Sequence, residues 1–271
     1  MRSVKIKEVI DALERFAPLP LQESYDNAGL QVGLTEAEVS GALLCLDVTE
    51  KVVDEAIGRG CNLIVAHHPL IFHKLAQITD ADYVQRTVFK AVKNDVVIVA
   101  MHTNLDSAVG GVNYKIAEKL GLGNIRLLGR ARQAADPQTG ELVTGGDGVI
   151  GEFETPLAAD DLILLLKDRF DVECVQANEL LRREIRSVAL CGGSGSFLLH
   201  DAVAAGADAF VTGEMSYHEF FGHEQEIQLC AIGHYQSEQY TAEVLRDVIR
   251  RDCPGVECRL SEINTNPIVY F

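Results

Sequence analysis

Apolar and polar positions along the chain follow two different periods. Apolar side chains recur every three to four residues from Ile6 to Phe16, which predicts an amphipathic helix over residues 4–16. Downstream, short apolar runs of strand length alternate with segments of helical period. The predicted strands are residues 41–48, 62–66, 96–101, 187–191, 209–212 and 229–232, and the later predicted helices are residues 49–58, 82–93, 112–120, 157–170, 197–205 and 237–251. This alternation predicts an α/β protein with mainly parallel or mixed sheets flanked by helices.

The stretch over residues 121–161 departs from this alternation. It contains the turn signals Asp136-Pro137 and Gly145-Gly146-Asp147-Gly148, which predict short antiparallel strands and a domain boundary near residue 125. A short apolar strand is predicted at residues 267–271. We therefore predict two interlinked α/β domains, one formed by residues 1–125 with 230–271 and carrying a metal site, the other by residues 126–229.

Composition and charge narrow the possible functions. The 271 residues include 24 Lys and Arg against 40 Asp and Glu, a net charge of −16, and 47% of the chain is apolar. This is an ordinary globular composition. The negative charge argues against nucleic acid as the main partner, because phosphate binding requires a basic face, and it is compatible with a site for cations.

Cysteine usage and hydropathy predict the compartment. The apolar runs are far shorter than the ~20 residues of a membrane span, and no apolar signal core follows the first residues. The number of cysteines is odd, and Cys45, Cys61, Cys191 and Cys230 lie in apolar runs, which favours buried free thiols in a reducing environment. We expect a cytoplasmic protein without a membrane partner.

Polar residues directly follow almost every predicted strand. The carboxyl ends of parallel strands meet at one edge of a sheet, where open α/β proteins bind ligands, so these residues are expected to gather there. The clusters are Asp47 and Thr49, His67 and His68, His102 to Asp106, Gly192 to Gly195, Glu214, and His234 to Glu238.

Half of the eight histidines lie in these clusters: His67, His68, His102 and His234. A single histidine after a strand is more often a hydrogen-bonded structural residue, but four of them together with Asp106 and Glu238 favour a metal site. Adjacent side chains such as His67 and His68 point opposite ways from a regular strand, so at a strand end they suit two neighbouring ions. The donor set suits two divalent ions of Zn, Fe, Mn or Co.

Two local patterns leave alternatives open. Ser237 is predicted to be the N-cap of the last helix, with Glu238 in its first turn and facing the same cavity as His234. The alternative is that Ser237 caps the helix at the surface and that His234 has no role in a site. The loop over Gly192, Gly193, Ser194 and Gly195 is either a simple tight turn or an anion site that uses backbone N–H groups.

At these residues the sequence resembles the Nif-three-like dinuclear metal-centre family, whose bacterial members are known as GTP cyclohydrolase type-two homologues. The resemblance spans the whole chain in order. The matching segments are residues 25–33 (YDNAGLQVG), 46–49 (LDVT), 67–72 (HHPLIF), 102–106 (HTNLD), 110–113 (GGVN), 213–214 (GE) and 233–238 (GHYQSE). Tyr25 stands where the family usually has Trp, and His73 departs from the usual pattern. The inserted domain of some relatives is missing, so this is the short form.

The resemblance implies a ligand set and an assembly. The implied ligands of two metal ions are His67, His68, Asp106, His234 and Glu238, with Glu238 bridging the ions. His102 would lie beside the metals or carry a proton. The resemblance also implies a toroidal homohexamer whose metal sites face an internal cavity.

Three functions are compatible with these residues. The first is a metal-dependent hydrolase acting on a nucleotide or phosphorylated small molecule, with His102 or Glu214 as acid or base and the loop at Gly192–Gly195 holding phosphate. The second is a protein that stores or delivers metal ions without turnover. The third is a regulatory protein with structural metals. Five ligands for two ions leave open coordination positions, which favours chemistry or exchange over a structural role.

Overall fold

The computed structural model describes residues 3–136 and 139–269, and the chain forms two compact units. Unit 1 comprises Met1–Leu105, Ala134–Val143 and Thr241–Phe271, and unit 2 comprises Asp106–Gln133 and Thr144–Tyr240. The boundaries of these units differ from the predicted domain boundaries near residues 125 and 230. The division into two folding domains at those residues stays a prediction.

The described residues form α-helices and strands that alternate along most of the chain. The helices are α1 (Ile6–Phe16), α2 (Glu50–Gly58), α3 (Tyr83–Lys93), α4 (Thr103–Ser107), α5 (Val112–Leu120), α6 (Ala159–Phe170), α7 (Leu199–Ala204), α8 (His234–Glu238) and α9 (Thr241–Asp252). The strands are β1 (Gly29–Val32), β2 (Ala42–Cys45), β3 (Leu63–Ala66), β4 (Val97–Ala100), β5 (Gly123–Ala135), β6 (Leu142–Leu157), β7 (Gln176–Ala177), β8 (Ile185–Cys191), β9 (Ala209–Thr212), β10 (Gln228–Ala231) and β11 (Cys258–Leu260). Short 3₁₀ helices occupy Leu19–Leu21, Ser196–Leu198 and Tyr217–Phe220.

Unit 1 contains a five-stranded sheet with the order β1-β4-β3-β2-β11. Strands β4, β3, β2 and β11 are parallel, and β1 runs antiparallel to β4 with Gly29 opposite Ala100. The sheet is covered by apolar side chains of α2 and α3: Val53 and Val88 belong to the same buried cluster as Leu43 and Ile64. The three central strands are buried at every position, as expected for parallel strands.

Unit 2 contains most of a six-stranded sheet with the order β5-β6-β8-β9-β10-β7. The last residues of β5 and the first residues of β6 are assigned to unit 1. Strands β8, β9 and β10 are parallel, whereas β6 pairs antiparallel with β8 and β7 pairs antiparallel with β10. Phe210 and Leu229 pack with Ala189 and Leu198 in the core of this unit. The predicted α/β class with mixed sheets is confirmed.

Helix starts follow the capping chemistry of the sequence. The Thr49 side chain accepts a hydrogen bond from Val52 N at the start of α2, and Asp82 accepts one from Gln85 N at the start of α3. Each cap satisfies a backbone N–H that the helix itself leaves without an acceptor.

The structure differs from the sequence predictions near the end of the chain. The predicted helix over residues 237–251 is two helices, α8 and α9, so the position of Ser237 at a helix start is wrong. The predicted strand at 267–271 is wrong for residues 267–269, and residues 270–271 lie outside the described part. Asn266 N donates to the side chain of Asn264, and Ile268 N donates to that of Asn266, so local side-chain acceptors occupy N–H groups that a strand ladder would use.

The region of turn signals forms two long strands, β5 and β6, rather than several short ones. Gly148 lies inside β6, where an added Cβ would come within 2.8 Å of Leu190 O and 2.7 Å of Leu198 Cδ1. This glycine therefore permits a close approach between β6 and its neighbours, which a sequence pattern does not distinguish from a turn.

Cysteine burial agrees with the prediction, since Cys45, Cys61, Cys191 and Cys230 are buried free thiols. Within residues 3–136 and 139–269, no helix combines the length and the apolar character required to span a membrane.

Candidate metal centre

Three histidines converge at the carboxyl edge of the unit 1 sheet. His67 and His68 directly follow β3, and His102 lies two residues after the neighbouring strand β4. One ligand nitrogen from each histidine lies within 4.8 Å of the other two, and the ring centroids are 4.9 to 5.4 Å apart. We call these residues the histidine triad. The predicted convergence of strand ends is therefore observed for this part of the site.

Each ring of the histidine triad is held through Nδ1 by an oxygen that only accepts hydrogen bonds. His67 Nδ1 lies 2.8 Å from Met101 O, and the Nδ1 atoms of His68 and His102 lie 2.7 Å from Asp47 Oδ1 and Asp26 Oδ1. Since each acceptor requires a proton on Nδ1, the lone pair of the neutral ring is on Nε2. This tautomer and this type of partner are characteristic of metal-binding histidines.

Asp47 lies just beyond β2, the strand next to β3. Its second oxygen, Oδ2, accepts a hydrogen bond of 2.6 Å from Thr265 Oγ1. Burial would raise the pKa of Asp47, but the hydrogen bonds from His68 and Thr265 hold it below its ordinary value. The carboxylate is therefore ionised and stabilises one orientation of the His68 ring.

Asp26 orients the His102 ring in the same way. It lies in the loop before β1, whose first residue is opposite the end of β4, so this loop reaches the same edge of the sheet. Its carboxylate also accepts hydrogen bonds from Thr103 N, at 3.0 Å, and Thr103 Oγ1. Burial would raise the pKa of Asp26, but the hydrogen bonds from His102 and Thr103 lower it to about 2.

Unit 2 places a second set of donors at the carboxyl edge of its own parallel strands. Glu214 follows β9 and His234 follows β10. His234 Nδ1 lies 3.1 Å from Glu214 Oε1, and His234 Nε2 lies 3.2 Å from Glu238 Oε2. Ser194 Oγ donates to Glu214 Oε2 at 2.5 Å. The Glu214 carboxylate therefore orients His234, as the triad's aspartates orient their histidines.

The two predicted acidic ligands lie together in unit 2. A carboxylate oxygen of Asp106 is within 4.8 Å of one of Glu238, whose side chain is buried. Burial and the negative charges of Asp106 and Glu238 raise the pKa of the nearby Cys191 thiol well above its ordinary value. Two carboxylates this close repel each other in a buried setting, and a bound cation would offset that repulsion.

The glycine-rich loop packs against Glu238, one of the predicted ligands. Gly193 has a φ of +58°, and a Cβ there would lie 2.3 Å from Glu238 Oε1. The N–H groups of Gly192, Gly193 and Gly195 donate to side-chain oxygens, respectively those of Asn113, Ser237 and Thr212. These bonds give the loop a structural role, and anion binding by Gly192–Gly195 stays a prediction.

Ser237 lies inside α8 rather than capping a helix. Its Oγ accepts the hydrogen bond from Gly193 N and donates to His234 O at 2.8 Å. The hydroxyl therefore ties the glycine loop to the turn that carries His234. Hydrogen bonds between residues so far apart in the chain depend on the tertiary structure, so a local capping pattern does not predict them.

Comparisons with known proteins identify the family. The model of the family described as Duf34/NIF3 (NGG1p interacting factor 3) matches residues 4–267. The chain belongs to this family. A Duf34/NIF3 fold is also found in the solved structures it matches: a Bacillus cereus protein related to NIF3 has a TM-score of 0.86 and 25% identity, and a hypothetical Staphylococcus aureus protein has a TM-score of 0.88 and 28% identity, each over 100% of both chains.

Similar sequences carry a functional name. A Clostridium acetobutylicum protein named GTP cyclohydrolase 1 type 2 homolog is 32% identical over 237 residues, which cover 87% of this chain and 86% of that protein. The resemblance to the Duf34/NIF3 family that the motifs indicated is confirmed. The chain also has buried and half-buried His, Asp and Glu groups that could bind a metal ion.

Two orienting carboxylates, Asp26 and Asp47, were not predicted as site residues. Both stand inside the quoted motifs, and Asp47 belongs to the first strand-end cluster. The signal that could have singled them out is chemical: a metal-binding histidine requires an acceptor for its other nitrogen, and an aspartate in a neighbouring strand-end motif is the natural candidate.

Removing the charge of Asp47 tests its orienting role. We expect Asp47→Asn to weaken metal binding about 10–100-fold. His68 then loses an ionised hydrogen-bond acceptor at Nδ1, so its Nε2 donates its lone pair less strongly to a metal ion. Competition with a chromogenic chelator measures the dissociation constant. Asp54→Asn is the matched control, since Asp54 forms an exposed ion pair with Lys90. Equal affinities for the two variants would contradict an orienting role for Asp47.

Proposed function

We propose that this protein holds two divalent metal ions and hydrolyses a nucleotide or another phosphorylated small molecule. The observation that carries the proposal is the histidine triad, in which an oxygen acceptor fixes every Nδ1 and directs the lone pair to Nε2. Histidines with only a structural role would not require the same tautomer in all three rings at one edge of a sheet.

The donor chemistry fits divalent transition metals. Under this proposal two ions of Zn, Fe, Mn or Co would be held by the five residues that the family resemblance implies: His67, His68, Asp106, His234 and Glu238. Imidazole and carboxylate suit all four metals, and the close pair Asp106 and Glu238 supplies negative charge to a buried cationic site. Ions held in this way would lower the pKa of a bound water and polarise the bond that is cleaved.

Two residues are suited to proton transfer. A proton taken up at Nε2 of His102 would give an imidazolium stabilised by the ionised Asp26 at its Nδ1. Glu214 has a side chain about half exposed, so its carboxylate is accessible to solvent. We propose His102 and Glu214 as the acid and base groups, and the relatives named GTP cyclohydrolase 1 type 2 homolog support a nucleotide as the substrate.

Turnover by metal-loaded protein tests the hydrolase. The protein is stripped with chelator, reloaded separately with Zn, Fe, Mn or Co, and assayed for ring opening of GTP by ultraviolet absorbance and for phosphate release from other nucleotides. We expect turnover with at least one metal, loss to background in His68→Ala, and wild-type turnover in Asp54→Asn. Two bound ions without any turnover would reject the hydrolase and support metal storage or delivery.

We also propose that the protein assembles as a toroidal homohexamer, as the family resemblance implies. Sedimentation velocity before and after chelation tests this. A hexamer that survives chelation supports metals with a chemical role, and dissociation on metal removal would support structural metals instead.

A further inference from the structure

Three ring-bearing side chains border the histidine triad in unit 1 without belonging to the proposed ligand set. Tyr25, Phe72 and His73 form a group that we call the aromatic rim. The Phe72 ring lies 6.5 Å from Tyr25 and 5.1 Å from His73, measured between centroids. Phe72 also lies 6.2 Å from His102, edge to face. The aromatic rim is therefore continuous with the candidate metal centre.

The aromatic rim faces solvent instead of the core. Tyr25 is 65% exposed and Phe72 is 39% exposed. Core packing therefore does not account for these rings, and exposed apolar groups clustered beside the polar groups of a candidate site are characteristic of ligand-binding surfaces.

The backbone that carries the aromatic rim is held by side-chain hydrogen bonds. Asn27 Nδ2 donates to Ile71 O at 2.6 Å, and Ile71 N donates to Gln31 Oε1 at 3.1 Å. Gln31 Nε2 in turn donates to Asn27 O at 2.6 Å. These bonds tie the segment that follows Tyr25 to Ile71, the residue before Phe72. Rings positioned in advance lose little conformational freedom when a ligand binds, which favours affinity.

We propose that the aromatic rim binds a planar nitrogen-heteroaromatic group of the substrate, and this inference rests on the proposed function. Aromatic side chains stack on such rings whatever their pattern of hydrogen-bonding groups. A ring held on Phe72 would lie beside His102. The aromatic rim thus selects for substrates that carry a base-like ring, while ions held by the proposed ligands would polarise the bond that is cleaved.

The chain contains no tryptophan, so Phe72→Trp introduces a single indole as a reporter. Zinc-loaded Phe72→Trp is titrated with guanosine 5′-monophosphate and with ribose 5-phosphate, which lacks the base. We expect the nucleotide to quench the indole emission to saturation and the sugar phosphate to leave it unchanged. Phe89→Trp is the matched control, since Phe89 is also an exposed phenylalanine of unit 1, at 57%.

Equal quenching in Phe72→Trp and Phe89→Trp, or equal quenching by both probes, would overturn the inference. An indole of Phe72→Trp that resists acrylamide in the ligand-free protein would also overturn it, because a second copy or another segment would then cover the aromatic rim.

Calorimetric titration of zinc-loaded variants measures the contribution of the ring. We expect Phe72→Ala to weaken binding of guanosine 5′-monophosphate about tenfold or more and Tyr25→Phe to retain it. Zinc content, measured in parallel, is expected to be unchanged in both variants. Base-dependent binding without turnover would reject the hydrolase but retain the aromatic rim as a binding site. Turnover with the same KM in wild type and Phe72→Ala would reject the aromatic rim alone.

Discussion

Glu238→Gln is expected to weaken metal binding by more than about 100-fold while the fold remains intact. Glu238 is 4% exposed, and its carboxylate contacts His234 and lies close to Asp106. The amide has nearly the same size but carries no charge and presents an N–H₂ group toward the site. Loss of a carboxylate that only hydrogen-bonds a metal-binding histidine costs about 10–100-fold in metal affinity, so loss of a carboxylate proposed to bind the metal directly should cost more.

Thermal unfolding with and without metal measures this effect. For one site, metal at about 100 times its dissociation constant adds about 2.7 kcal/mol to the free energy of unfolding, and a variant with 100-fold weaker binding gains only about 0.4 kcal/mol. Glu226→Gln is the control, because Glu226 forms an ion pair with His223 at the surface of the same unit. Full metal stabilisation in Glu238→Gln would show that this carboxylate is not a ligand.

Gly193→Ala should both destabilise unit 2 and disturb two of the proposed metal ligands, Glu238 and His234. The new Cβ would lie 2.3 Å from Glu238 Oε1 and 3.3 Å from His234 Cε1, so both side chains must move. The left-handed backbone adds a cost of roughly 1–2 kcal/mol for any residue with a side chain. We expect the free energy of unfolding to fall by about 2 kcal/mol or more and metal affinity to fall with it.

Gly206→Ala separates the backbone effect from the contact. Gly206 has a similar φ of +70°, but an added Cβ there has no atom within 4 Å. Urea unfolding should therefore show only the backbone cost of roughly 1–2 kcal/mol, with unchanged metal affinity. If Gly193→Ala behaves like Gly206→Ala in both measurements, the close approach to Glu238 has no functional consequence.

The central strands and the histidines after them are predictable from the sequence because both signals are local. Strands β3 and β4 are apolar at every position, and polar residues begin where burial ends, at His67 and His102. Edge strands lack this contrast. Strand β1 is only partly buried and β11 is half-buried along its length, so neither shows a continuous apolar run.

The partners of the histidines depend on tertiary structure. Asp26 is 76 residues from His102 in the chain, and only the antiparallel pairing of β1 with β4 brings its loop to that strand's end. The break between α8 and α9 was missed for a similar reason. Ser237 resembles a helix cap locally, but its hydroxyl bonds with Gly193, 44 residues away.

The separation between buried strands and exposed strand-end loops has an evolutionary consequence. In unit 1 every residue of β3 and β4 is buried, whereas Phe72 and His73 lie in a loop whose side chains face solvent. Substitutions at Phe72 or His73 alter the exposed surface beside the histidine triad without changing the packing of the sheet. Under the proposed function, new substrate preferences would therefore arise by a few loop mutations, with little penalty to folding, while the histidine triad keeps its geometry.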